Sequence, residues 1–230
     1  MLVPEVPLPA AVLWDMDGTL IDTEPLWFAA EAALAARHGV AWGPELSEGL
    51  VGMPLDVYGA TLVEHGVDLT VDQVVAELVA EVRGGLVDGV TWQPGVRDLL
   101  TGLAAAGVPC ALVTMSYREL AEPVVAQAPP GAFRVVVAGQ DVEQGKPHPE
   151  PYQRAAAALG VPIGRCVAIE DSPPGITSAM AAGARTLGVP HIVDVTPRPG
   201  LSRVPSLAEV DLAMLAAIGA GQVLDLLEPA

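Results

Sequence analysis

The sequence predicts an α/β fold: a doubly wound parallel sheet with an all-helical block inserted after its first strand. Three observations point there. Short apolar runs alternate with stretches of helical periodicity along most of the 230 residues. One region, from about Thr23 to Asp88, carries helical signals and no good strand. Acidic, hydroxyl and amine side chains follow directly on several of the apolar runs. Strands separated by helices favour a parallel sheet covered on both faces, and such sheets bind ligands at the carboxyl ends of their strands.

The elements follow in order. Ala11 to Trp14 is a short apolar run that stops at Asp15. A helix is expected from about Pro25 to His38, with Thr23 or Glu24 as its cap, Pro25 in its first turn and Gly39 at its end. From about Trp42 to Asp88 the apolar residues recur three and four apart, as in Val71, Val74, Val75, Leu78 and Val79. Val96 to Ala106 reads as helix, Cys110 to Thr114 as strand and Arg134 to Ala138 as strand. Pro123 compromises the helix expected between those two strands. Pro149 to Leu159 is helical, Arg165 to Glu170 a strand, and Ile176 to Ala182 a helix. Arg185 to Val189 is the last clear strand, and the tail from Asp211 reads as helix. The division that results is a core of residues 1–22 and 88–230 and a helical cap of residues 23–87.

Composition removes several function classes. The chain has 28 acidic and 11 basic residues, a formal charge of −17. A polyanion is repelled by nucleic-acid phosphates and anionic membranes, so neither is an expected partner. Mean hydropathy is +0.45, yet Gly, Pro or charge interrupts each apolar stretch well short of the roughly 20 residues of a membrane span. The N-terminus MLVPEVPLPA lacks the basic start and long apolar run of a signal peptide. Two cysteines are too few for a disulfide scaffold. The expectation is a cytoplasmic protein, monomeric or weakly dimeric, acting on a small molecule.

Four segments carry chemistry. In Asp15-Met-Asp17-Gly-Thr19, two carboxylates lie at i and i+2 of an extended chain, about 6.6–6.8 Å apart on one side. Their repulsion calls for a cation or a shared proton, which suits Mg²⁺ binding or acid–base work. Gly18 allows a tight turn after the pair. Acidic residues after a strand also serve as plain turn formers. Thr114-Met115-Ser116 offers hydroxyls and backbone N–H groups to a phosphate oxygen; Ser116 could equally cap a helix. Lys146 is the single lysine of the chain, on a loop stiffened by Pro147, Pro149 and Pro151. A lone ammonium held there suits a phosphate, though a surface lysine before a helix is the ordinary alternative. Glu170 and Asp171 close another apolar run. They fit a metal site, with Asp171 as direct ligand and Glu170 as ligand or support; Asp171 or Ser172 could also cap the next helix.

The order of these segments resembles that of the haloacid dehalogenase-like hydrolases. The matching stretches are DMDGTLIDTEPLW (15–27), LVTMS (112–116), GKPHPEPY (145–152) and IEDSPPGITSAMAAGA (169–184). They are similar in style to the branch holding sugar-phosphate phosphatases and β-phosphoglucomutase. The resemblance implies a Rossmann-like core with a small helical cap and a Mg²⁺-dependent phosphatase acting on a small phosphorylated metabolite. It implies Asp15 as nucleophile, Asp17 as general acid–base, and Thr114 and Lys146 as holders of the phosphoryl oxygens. Mg²⁺ would sit on the Asp15 carboxylate, the Asp17 carbonyl and Asp171, with Glu170 close by. Gly18, Met115, Ser116 and Trp27 would line the substrate side.

The departures from the family pattern narrow the reading. Trp27 stands where β-phosphoglucomutase-like relatives carry a His, and Gly52-Met-Pro-Leu55 lacks the cap Arg that grips a second phosphate. The cap carries Arg37 and Arg83 against ten acids. Hydrolysis is therefore expected over phosphomutase chemistry. A cap without lysine removes the phosphonoacetaldehyde hydrolase reading, and a dehalogenase needs neither Asp17 nor Mg²⁺. A phosphomutase and a non-catalytic phosphate or metabolite sensor remain the alternatives. The four histidines are expected to be structural or solvent-facing. Cys110 and Cys166, on strands that flank the first one in the family's sheet, are expected as buried thiols. Trp27 and Met53 either line the cleft between core and cap or pack inside the cap.

Overall fold

The computed structural model describes residues 6–50 and 53–227. The stretch at 1–5 and Gly52, on which two of the readings above rest, lie outside them. Six parallel strands form one sheet: β1 (Ala11–Trp14), β2 (Cys110–Val113), β3 (Phe133–Val137), β4 (Cys166–Glu170), β5 (Arg185–Gly188) and β6 (Leu201–Arg203), in the order β3-β2-β1-β4-β5-β6. β1 is central and every residue in it is buried. A parallel strand covered on both faces needs an unbroken apolar run, which is what Ala-Val-Leu-Trp supplies.

The helices are α1 (Glu24–Arg37), α2 (Pro44–Glu48), α3 (Leu55–Glu64), α4 (Val71–Asp88), α5 (Val96–Ala105), α6 (Arg118–Gln127), α7 (Glu150–Leu159), α8 (Pro173–Ala182) and α9 (Leu212–Gly219). The first four form the insertion between β1 and the rest of the core. α4 starts at a capping box, where Thr70 accepts from the Gln73 N–H and Gln73 accepts from the Thr70 N–H. Its face Val74, Val75, Leu78, Val79, Val82 and Leu86 is buried, at the spacing seen in the sequence.

The described residues of the stretch from Trp42 to Asp88 are helical as expected, in three helices, with Gly66 (φ +109°) allowing the chain to turn between α3 and α4. Two expectations need correction. α6 runs through Pro123 without a break. A mid-helix proline costs about 3 kcal/mol, but α6 buries Leu120 and Val124 completely, and each such side chain contributes roughly 1.5–3 kcal/mol. A sixth strand follows Arg185–Gly188. Leu-Ser-Arg has no apolar run to mark it. It is held by pairing to β5 and by buried Arg203, whose guanidinium bonds Asp225 at 3.0 and 2.8 Å and the Val195 carbonyl at 2.8 Å. Cys110 and Cys166 are buried free thiols on the two neighbours of β1, as expected. Among the described residues no helix is long and apolar enough to cross a membrane.

The insertion holds a fully buried acid. Glu31 accepts from the Ser47 hydroxyl and from the Trp42 indole N–H at 3.2 Å, while its other oxygen, Oε1, has no partner. Burial raises its pKa, and the two donors only partly offset this. A carboxyl with a raised folded pKa contributes full stability below its unfolded value and loses it as pH rises through the folded one. Glu31→Gln should therefore raise the melting temperature at pH 8, with the gain shrinking toward pH 4.5, in parallel thermal melts of both proteins.

Candidate active site

The strand order sets the site. β1 lies between β2 and β4, and adjacent strands run about 4.7–4.9 Å apart. The residues that leave these three strands therefore emerge side by side: Asp15 after β1, Thr114 after β2, Glu170 and Asp171 at the end of β4. The Asp15 N–H continues the pairing by donating to the Ile169 carbonyl at 3.0 Å. Lys146 arrives from the loop between β3 and α7.

Lys146 is the electrostatic centre. Its ammonium lies 2.5 Å from Asp15 Oδ1, 2.6 Å from Glu170 Oε1 and 2.9 Å from the Val113 carbonyl, and its side chain is only 5% exposed. Three donors thus meet three acceptors. Burial would lower its pKa, but the Asp15 and Glu170 charges outweigh that and raise it, so it stays protonated. Tyr152, fully buried, donates to Glu170 Oε1 at 2.6 Å, and the Ser172 hydroxyl donates to Oε2 at 3.1 Å. A Cβ on Gly175 would collide with the Glu170 carboxylate, so the N-terminal turn of α8 closes directly over it. Tyr152 was present in the quoted GKPHPEPY stretch, but nothing in the sequence showed its hydroxyl turned to Glu170.

The carboxylates exceed the available positive charge. Asp15, Glu170 and Asp171 have oxygens within 4.8 Å of one another. Burial, then the Glu170 charge, pushes Asp15 up to about 8 despite Lys146. Burial and the charges of Asp15 and Glu170 raise Asp171 as well, against the pull of Thr19, whose hydroxyl donates to Asp171 Oδ1 at 3.0 Å. Gly18 sits at φ +83°, and a Cβ there would run into the Asp171 carboxylate. Its glycine serves both the turn and the close approach.

Asp17 is held by hydroxyls. Oδ1 accepts from Thr23 at 2.7 Å; Oδ2 accepts from Ser116 at 2.7 Å and Thr114 at 3.2 Å. Ser116 does not cap α6; the capping position is Tyr117. Thr23 does occupy the cap position of α1, but its hydroxyl is spent on Asp17 and makes no cap bond. Met115 contributes more than its backbone: its sulfur accepts from the Lys146 N–H at 3.2 Å, bracing the lysine loop. The turn after Asp17 is braced by Gln93, which donates to the Gly18 carbonyl at 3.1 Å and contacts His191, itself 3.2 Å from Asp22 and Glu24.

A cavity of about 610 Å³ opens above Asp15, Asp17, Thr114, Ser116, Lys146 and Asp171. Its far wall comes from the insertion and includes Trp27, Met53 and Tyr58. Trp27 and Met53 both face this space. The five residues on which the functional reading depends, at 15, 17, 114, 146 and 171, converge on one volume.

Removing the Lys146 charge leaves Asp15 and Glu170 buried without a cation. Lys146→Met should cost about 3–5 kcal/mol in urea unfolding at pH 7.5. The loss should shrink toward pH 5, because Asp15, whose folded pKa is raised to about 8, destabilises the fold only as pH climbs toward that value.

The comparisons with known proteins agree with this geometry. A family model for haloacid dehalogenase-like hydrolases matches residues 9–183. Hexitol phosphatase A of Escherichia coli (strain K12) is 32% identical over 208 residues, covering 88% of this chain and 88% of that protein. Validoxylamine A 7'-phosphate phosphatase of Streptomyces hygroscopicus subsp. limoneus is 33% identical over 180 residues, covering 77% and 84%. The crystal structure of CbbY from Rhodobacter sphaeroides in complex with phosphate superposes with a TM-score of 0.79 at 28% identity, covering 88% of this chain and 96% of that one. With its six-stranded parallel sheet and this row of strand-end residues, the chain belongs to the haloacid dehalogenase-like hydrolase family.

Proposed function

We propose that the protein is a Mg²⁺-dependent phosphatase that hydrolyses a small phosphorylated metabolite, a sugar or polyol monophosphate, through an aspartyl phosphate on Asp15. The observation that carries this reading is the convergence of Asp15, Asp17, Thr114, Lys146 and Asp171 at the mouth of one cavity. The relatives named as phosphatases of hexitols and of validoxylamine A 7'-phosphate support the substrate class. In this reading residues 1–22 and 88–230 are the catalytic core and residues 23–87 the cap that covers it.

The donor set fits Mg²⁺. Hard carboxylate oxygens outnumber the one ammonium, and the upward shifts of Asp15 and Asp171 register an unmet demand for positive charge. Asp15, Asp171 and the Asp17 carbonyl would hold the ion; Glu170, already bonded to Lys146, Tyr152 and Ser172, stands behind them. When bound, Mg²⁺ supplies charge opposite the phosphoryl oxygens and lets an anion approach an anion.

The chain's own residues do the rest. Asp15 attacks phosphorus, forming an O–P bond as the ester P–O bond breaks. Asp17 gives its proton to the leaving alcohol, then takes one from the water that cleaves the acyl phosphate. Three hydroxyls aim its carboxyl. Lys146 offsets charge on the phosphoryl group and keeps Asp15 in place. A phosphomutase would need a cation in the cap for a second phosphate. Neither Arg37, paired with Glu77, nor Arg83 lines the cavity, so hydrolysis is favoured.

Asp15→Asn should lower phosphate release from p-nitrophenyl phosphate by at least about 10³-fold; undiminished turnover would refute the reading. A saturating Mg²⁺ concentration, about 100 times its Kd, stabilises by about 2.7 kcal/mol. For a chain of this size that is a rise of about 5–10 °C in melting temperature. The rise should be present in the wild type, disappear with EDTA and be lost in Asp171→Asn.

A further inference from the structure

The cap wall of the cavity contains two polar groups that the mechanism does not use. Tyr58, on α3, and Trp27, on α1, are each only 7% exposed, and their rings meet at 5.6 Å between centroids, tilted by 51°. Both line the cavity. Neither the phenol hydroxyl of Tyr58 nor the indole N–H of Trp27 bonds to any described protein group. The structure does have sealed polar atoms without partners, Trp14 Nε1 and Glu31 Oε1, but these two are not among them. Neither is sealed without a partner among the described residues, and the space both residues line is the cavity over Asp17.

The charges around Tyr58 define what it can do. Burial raises its pKa, and the charges of Glu31, Asp17 and Glu24 add to the rise. The phenol stays protonated and can donate a hydrogen bond. A donor that meets no described protein group is free to pair with a ligand acceptor in the cavity. Elsewhere on the wall, Asp56 and Glu143 are exposed carboxylates with no side-chain bond or ion pair among the described residues, and Lys146, the single cation on the cavity, is committed to Asp15 and Glu170. Such a wall offers no free cation to a second anionic group. Its means of recognition are neutral donors on aromatic rings, which suit the hydroxyls and C–H faces of a polyol.

We propose that Tyr58, with Trp27 beside it, is the specificity-determining donor pair that binds hydroxyl groups of the leaving alcohol, so that the enzyme selects uncharged polyhydroxylated monophosphates. This rests on the phosphatase reading above and deepens it. The test compares kcat/KM for a hexitol 6-phosphate and for hexyl phosphate, which has the same carbon count and no hydroxyls. The wild type should prefer the hexitol ester. Tyr58→Phe, which deletes one oxygen and keeps the ring, should reduce that preference about fivefold. Trp27→Phe, which deletes the N–H, should reduce it in the same direction and provides a second variant should the first fold poorly. Phosphate release from hexyl phosphate by the wild type, with a preference unaltered in both variants, overturns the assignment and leaves the phosphatase reading standing. Release from neither ester by the wild type overturns both.

Discussion

The need to neutralise three carboxylates in one buried volume governs this structure. Asp15, Glu170 and Asp171 crowd together at the carboxyl edge of the sheet with the Lys146 ammonium as the sole cation among them. Burying charge is costly unless it is paired. The surrounding fold is arranged around that cost. Pro147 and Pro149 stiffen the lysine's loop, the Met115 sulfur braces its backbone, and Tyr152 with Ser172 ties down the second carboxylate. One ammonium against three acids leaves a deficit. The deficit is what makes the place suitable for a divalent cation and a phosphoryl group, since both bring their charges as a matched set.

The sheet delivers these groups with little freedom. β1 ends where β2 and β4 end, because all three run parallel and in close register: Trp14 lies opposite Leu112 on one side and Ile169 on the other. The next residues out have nowhere to go but the same edge. Chain order reverses at β1, and the crevice that opens where neighbouring connections diverge is the general binding place of such sheets. The insertion then closes the crevice from above. Its entry at Thr23 is tied to Asp17 through a hydroxyl bond, so the first helix of the insertion is anchored to the Asp17 carboxyl itself.

Polar groups are used unequally on the two sides. On the core side the carboxylates at the strand ends are held by donors within the protein. On the cap side the rings of Trp27 and Tyr58 leave an N–H and an O–H unspent. In the phosphatase reading proposed above, the division separates a site for the phosphoryl group from an uncommitted wall for whatever carries it. That is the arrangement by which one catalytic core can serve different esters, with discrimination falling to the wall.

Much of the fold was legible in the chain. β1, β2 and β4 stood out because strands covered on both faces must be continuously apolar, and α4 because a half-buried helix shows its period. The strand-end residues Asp15, Thr114, Lys146 and Asp171 were visible because each follows such a run or stands on a proline-stiffened loop. β6 was not legible: a three-residue edge strand is held by main-chain pairing and by the Arg203–Asp225 ion pair, 22 residues apart in sequence. The continuous α6 was hidden because Pro123 argues locally against a helix that packing sustains. Tyr58 and Tyr152 had no signal of their own, and Thr23 showed only as a helix cap, since a hydroxyl's role depends on what it faces. Local periodicity and charge spacing are properties of neighbours along the chain, so the sequence alone determined the architecture and the list of reactive groups. Partnership across 99 and 131 residues, as between Ser116 and Asp17 and between Lys146 and Asp15, is settled only when the strands align, and that is why the tertiary structure alone decided which groups are committed and which remain free to meet a ligand.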